Sequence, residues 1–324
     1  MYEERRGRPE WGRETELQYA QALNEDKLLD IEVINEGFSD PELIGLTYYQ
    51  ASHIVEHLME TYGEPKFWEL LRAYGRGLET AAALKQTYGI TVAELQQAFD
   101  ARMEKQYAGL RAALKRPMGE GTPGAAELKA MASANPGSFP LQMQLGVELR
   151  KAKDFAGAIA AFERALEIVP AASGGNSPNA QIAAVALEQK DTPRAIRALE
   201  AHVRVSPSDV EAARMLASLL EPTGDAARTE DAYQRVVATD PFDAGAQAAV
   251  GRFALSRKDT ASALRAFRSA LAMNPPDRAT AHTDLAEAYF QAGQPGEAKR
   301  ELVLALEIAP SFERAQDLLL KLVD

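Results

Sequence analysis

Apolar residues recur every three to four positions through most of the chain, the spacing of helices that bury one face. In the first third the helix punctuation begins at residue 40. Asp40-Pro41 reads as an N-cap followed by Pro at the first helical position, and Gly63 as the stop. Between them Ala51, Ile54, Val55, Leu58, Met59 and Tyr62 form the stripe predicted to face inward. Further helices are predicted over Pro65 to Tyr74, Leu78 to Tyr88, and Thr91 to about Tyr107, closed in the first two cases by Gly75 and Gly89. The last opens with Thr91 and Glu94 spaced as a capping box.

Further along, the pattern repeats. Pro136, Pro170, Pro207, Pro241, Pro275 and Pro310 stand 34, 37, 34, 34 and 35 residues apart, a period that suits a helix–turn–helix unit. Starting a unit at Phe139 places Gly146 eighth, Ala158 twentieth, Phe162 twenty-fourth, Ala165 twenty-seventh and Pro170 thirty-second. The unit from Ala244 repeats this with Gly251, Ala263, Phe267, Ala270 and Pro275, and the unit from Ala279 with Ala286, Ala298, Leu302, Ala305 and Pro310. Small residues at the eighth and twentieth places let two helices approach, a large apolar residue at the twenty-fourth fills the wedge, and Pro stops the second helix. The units from Asn176 and Val210 are looser. His202 stands where Ala is usual, and Thr229 and Val236 occupy small places.

This pattern resembles the tetratricopeptide repeat. The resemblance covers residues 139–312 in five units, 139–172, 176–209, 210–243, 244–277 and 279–312, with Ser173-Gly174-Gly175 and Pro276 as loop insertions. The fold class it implies is all-α: a right-handed superhelix (α-solenoid) preceded by a small helical subdomain. Residues 108–138 read as a Pro/Gly-rich linker, Arg116 to Gly124, followed by a capping half-repeat, Ala125 to Ala134. Residues 313–324 read as a C-terminal capping helix bearing Leu318, Leu319 and Leu322.

Arrays of this family bind a peptide or helix in the groove lined by their first helices. The groove-facing residues expected here are Met143, Val147, Arg150, Ala180, Ala184, Arg214, Arg252 and Phe290. They are small and apolar with scattered Arg, suited to an apolar segment bearing acidic groups. Met143 and Val147 stand where a carboxylate clamp would need Lys and Asn, so that clamp is excluded. The competing reading is an array that serves only as a spacer.

Residues 1–107 resemble the C-terminal half of a gluzincin-like zinc peptidase domain (peptidase MA-like). The likeness lies in Tyr48-Tyr49-Gln50-Ala51-Ser52, Leu58, Tyr62-Gly63, Phe67 to Leu71, Leu78 with Ala81-Ala82, and Thr91 to Phe99. Met1-Tyr2-Glu3-Glu4 looks like the end of that family's third-ligand helix, and no H-E-x-x-H occurs in the sequence. The resemblance gives Tyr48 as a weak catalytic candidate for oxyanion stabilisation, against a reading as a core tyrosine. His53-Ile54-Val55-Glu56-His57 spells an inverted zinc motif, making His53 and His57 weak metal candidates. The preferred reading puts both on the flank of their helix as incidental residues.

Composition narrows the choices further. The chain has 324 residues, no Cys and a net charge of −11, so thiolate chemistry is excluded. Residues 1–107 carry −9 of that charge and both Trp, leaving a nearly neutral remainder without the basic excess that nucleic acid binding needs. The leading expectation is therefore a non-catalytic scaffold that binds a protein or peptide segment, with no cofactor, nucleic acid partner or membrane insertion. The alternative is the C-terminal fragment of a zinc metallopeptidase whose catalytic half lies upstream. Zinc would be required only then, and an exported location would replace a cytoplasmic one.

Overall fold

The computed structural model describes residues 13–115 and 123–322. All regular structure among them is helical, and the residues separate into two compact units. One comprises the described residues up to Asp191 together with Arg204–Ser206, and the other Thr192–Val203 with Pro207 onward.

In the first unit the helices are α1 (Arg13–Asn24), α2 (Ile44–Tyr62), α3 (Glu64–Gly75), α4 (Thr80–Tyr88), α5 (Val92–Leu114), α6 (Ala125–Ala134), α7 (Phe139–Lys151), α8 (Phe155–Ile168) and α9 (Pro178–Glu188). The first five enclose a core of Tyr19, Tyr49, Leu58, Leu84, Leu95, Phe99, Met103 and Tyr107. Helix α1 was not foreseen, and it supplies the fully buried Tyr19 at the centre. The α1–α2 connection is fastened by amides: Gln50 Nε2 donates to the Leu29 carbonyl at 2.6 Å, and the Ile31 amide donates to Gln96 Oε1 at 2.7 Å.

Several predicted ends move. Asp40 does not cap α2. Its carboxylate accepts from the Glu42 amide at 2.8 Å, making a local turn, and the helix starts at Ile44. Gly77 takes a φ of 82°, which leaves Leu78 outside α4. Helix α5 passes Tyr107 to Leu114 because Leu110 and Leu114 continue the buried face. Its capping box is present at both bonds, Glu94 amide to Thr91 Oγ1 at 3.1 Å and Thr91 amide to Glu94 Oε2 at 2.7 Å. Met1 to Glu4 and most of the expected linker lie outside the described residues.

The second unit holds α10 (Thr192–Val205, to its last full turn), α11 (Val210–Leu220), α12 (Ala226–Thr239), α13 (Ala244–Ser256), α14 (Thr260–Ala272), α15 (Arg278–Gln291), α16 (Pro295–Ile308) and α17 (Glu313–Leu320). The repeat places do the work their sizes imply. A Cβ on Gly146 would meet the Phe162 ring at 2.5 Å, and one on Gly251 the Phe267 ring at 2.6 Å. Where the eighth place is Ala286 the opposing residue is the smaller Leu302, and both are fully buried. The fifteenth place turns left-handed in every repeat: Lys153, Lys190, Gly224, Lys258 and Gly293 all have φ between 59° and 75°. In three of the turns the next residue caps the second helix: Asp154, Asp225 and Asp259 accept from Gly157, Arg228 and Ser262 amides at 2.9, 3.2 and 3.1 Å.

Polar residues at small places find partners. The fully buried His202 bonds Asp209 through Nε2 at 2.8 Å, and Thr229 donates its hydroxyl to the Asp225 carbonyl at 2.7 Å. Helix α17 lays Ala315 and Leu318 on Leu302 and Ala305 at the apolar face of the last repeat. In the first unit α6 covers the first repeat likewise, with Leu128 and Ala132 against Leu141 and Leu145.

Candidate functional site

Two places carry the sequence candidates. The first is α2. His53 and His57 are not on its flank, as expected, but inside: His53 is 0% exposed and His57 is buried. Three tyrosines surround His53. Tyr107 Oη is 2.9 Å from its Nε2 and 3.2 Å from Tyr49 Oη, and the rings of Tyr19 and Tyr49 lie 5.6 and 4.8 Å away. The other nitrogen, Nδ1, meets Glu56 Oε2 at 3.1 Å, and Glu56 and Glu60 face Arg102 at 3.8 and 2.6 Å. Burial, with Arg102 nearby, pushes the His57 imidazole below its usual range and favours its neutral form.

This arrangement does not suit zinc. Both ring nitrogens of His53 already hold hydrogen bonds, so coordination would break the tyrosine network. Among the described residues no group of three or more His, Asp or Glu side chains is placed to hold a metal. Tyr48 is not the core residue expected. It is 51% exposed and meets the edge of Phe38 at 4.9 Å, with its neighbour Tyr49 taking the interior position instead.

The second place is the set of first helices of the repeats, considered within each unit separately. In the first unit Met143, Val147 and Arg150 on α7 and Ala180 and Ala184 on α9 are all half-buried. Arg150 spans the two helices, donating from Nε to Glu188 at 2.7 Å and from a terminal nitrogen to Gln181 at 3.0 Å. In the second unit Arg214 is held by Asp243 at 2.7 Å and Asp240 at 2.6 Å, with Glu211 also in contact. The hydrogen bond to Asp243 leads in raising its pKa above the ordinary guanidinium value.

Next to it the first helices α13 and α15 flank a trough of about 330 Å³. Ala244, Gly245 and Ala248 wall it on one side and Thr280 and Ala281 on the other, with Phe267 and Ala270 also lining it. Pro275 and Pro276 border it, and Arg252, Asp277 and Asp284 add its charged groups. Two residues before Ala244, Phe242 is 80% exposed. Phe290, also predicted to face a partner, is partly exposed on α15.

Three separate stretches of the chain, 139–171, 181–244 and 254–322, match models of the tetratricopeptide repeat. These repeats are tetratricopeptide repeats. Ahead of them residues 13–105 match the Peptidase MA superfamily. No curated protein matches the chain. Solved structures similar to it include the MamA protein, at 24% identity over 52% of this chain and 90% of that one with a TM-score of 0.38. YrrB, described as a tetratricopeptide protein with an unusual peptide-binding site, is 18% identical over 60% and 98% of the two chains, with a TM-score of 0.43. TTC0263 of Thermus thermophilus, a thermophilic tetratricopeptide protein, is 19% identical over 57% and 99%, with a TM-score of 0.32.

Within the tetratricopeptide frame some trough residues were within reach of sequence reasoning and some were not. Ala248 is fifth in its unit, the place already assigned to the groove at Met143, Ala180 and Arg214, so extending that place would have found it. Asp284 carries no such signal. It matters because Arg314, 30 residues away, turns back to meet it at 2.5 Å.

Proposed function

We propose that the chain is a non-catalytic tetratricopeptide scaffold that captures an extended protein segment, and that the trough between α13 and α15 is where the segment lies. The observation that supports this most strongly is the trough itself, whose walls of Ala and Gly admit a backbone closely; Phe242, two residues before the wall residue Ala244, is 80% exposed and offers an aromatic anchor. The segment would be apolar with some acidic groups, because the exposed cation among the trough residues is Arg252. Met143, Val147, Arg150, Ala180 and Ala184 form the corresponding face of the first unit.

The Peptidase MA match supports a second reading, a chain descended from or belonging to a zinc peptidase whose metal-binding half is encoded elsewhere. The His53 network, with both ring nitrogens engaged in hydrogen bonds, speaks for a structural rather than a catalytic role of that histidine. The test of the scaffold reading is to fill the trough. Segments selected from a displayed random-peptide library should bind the wild type and lose binding to Ala248→Leu and Ala281→Leu, which add bulk to half-buried wall positions without touching the repeat core. Equal binding by these variants would place the partner surface elsewhere.

A further inference from the structure

The arginines on the first-helix face of the second unit are not equivalent. Arg214 is enclosed by carboxylates of Glu211, Asp240 and Asp243 and has little left to offer a ligand. Arg314 is clamped by Asp284 at 2.5 Å and Glu287 at 2.6 Å; burial opposes its charge, yet these bonds raise its pKa above the ordinary value. Arg252 differs. It is 53% exposed, and its carboxylate neighbour Asp284 stands 3.6 Å off, already committed to the closer Arg314.

From this placement we infer that Arg252 reads a carboxylate on the captured segment, so that the trough selects an apolar segment carrying one Asp or Glu side chain. The inference rests on the trough being the binding surface. A guanidinium presents its donors in a planar fork matched to a carboxylate, and here the fork lies beside apolar walls that exclude water from one side of the contact. Neither aspartate of the trough reverses the preference toward a basic segment: Asp284 is 2% exposed and lies between two arginines, and Asp277 is engaged as the cap of α15, its carboxylate accepting from the Thr280 amide at 3.0 Å. Asp284 instead tethers Arg252 loosely at the trough's edge and stays with Arg314 when a ligand carboxylate takes Arg252.

The experiment uses the full chain and a displayed library whose random segments are fused at both ends, so that no free C-terminus is offered. The tightest segment is synthesised with its acid and with the matching amide, blocked at both termini, and titrated by fluorescence anisotropy against wild type, Arg252→Gln and Ala248→Leu. Selected segments should carry Asp or Glu among apolar residues. Replacing the acid by its amide should weaken binding about fivefold in the wild type and less than about twofold in Arg252→Gln. An acid-to-amide ratio unchanged by Arg252→Gln, with binding still abolished by Ala248→Leu, overturns the inference and leaves the trough reading in place. Undiminished binding by Ala248→Leu, or no segment selected at all, overturns both. Circular dichroism of each variant confirms that the exposed substitutions leave the helices intact.

Discussion

Adding one methyl group at the eighth place of a repeat should destabilise or stabilise the protein depending on the residue across from it. On Gly251 the new Cβ would lie 2.6, 2.7 and 2.9 Å from three atoms of the buried Phe267 ring, well inside contact distance. Forcing that ring aside costs about 1–3 kcal/mol, while Ala gains about 1 kcal/mol over Gly in a helix interior. Gly251→Ala should therefore lose up to about 2 kcal/mol. With Phe267→Leu in place the local pair becomes the Ala286–Leu302 pair already used in the next repeat. The same substitution should then gain up to about 1 kcal/mol. The coupling between the two changes equals the ring clash, about 1–3 kcal/mol, and is read from urea unfolding of the four proteins by far-UV circular dichroism. A Gly251→Ala protein at least as stable as wild type, or a double variant that equals the sum of the singles, would refute the close-approach explanation of the repeat.

Other consequences are open to simpler measurements. Lys258→Gly should stabilise the protein by up to about 1 kcal/mol because its φ of 62° strains any side chain bearing a Cβ, which a shift in urea midpoint reports. Asp243 is held below the usual carboxylate range: burial opposes its charge, but the Ala246 amide and Arg214 outweigh it. Its contribution is thus present at neutral pH and lost as the pH falls through 4 and below, and Asp243→Asn should flatten that acid limb while keeping the cap. His57 has a lowered pKa, so the folded state binds fewer protons than the unfolded one below about pH 6.5. Stability should fall from pH 7 to 5, and His57→Gln should remove part of the slope. His53→Ala should cost about 2–4 kcal/mol through the cavity and the stranded Tyr107 and Glu56, whereas added zinc should leave the wild-type melting temperature unchanged.

The repeat was legible because its constraints are local and recur. Gly146 against Phe162 and Gly251 against Phe267 show up as fixed spacings, and the left-handed turns at Lys153, Lys190 and Lys258 follow from the same register even though Lys does not announce them. The first third was harder because its centre is polar. A helix read by its aliphatic stripe assigns the interior to Ile54 and Val55, yet the interior is a hydrogen-bonded set of tyrosines that admits His53. Tyr19, whose ring packs against Tyr49, His53 and Tyr107, comes from a helix with little aliphatic signal of its own. Tyr48 and Tyr49 are indistinguishable as residue types, and only the rotation of α2 decides which enters the core. The groove arginines were legible as positions but not as ligands, since their freedom depends on distant partners: Asp284, near Arg252, is held by Arg314, and the two arginines stand 62 residues apart along the chain.

Capture of a partner in the trough is tested most directly by hydrogen exchange and mass spectrometry on the full chain, with and without a saturating library-selected segment. Binding there protects backbone amides of α13 from Ala244 to Arg252 and of α15 from Thr280 to Asp284, while amides of α2 and α3 exchange as in the free protein. Protection confined to α2 and α3, with α13 and α15 unchanged, would contradict it.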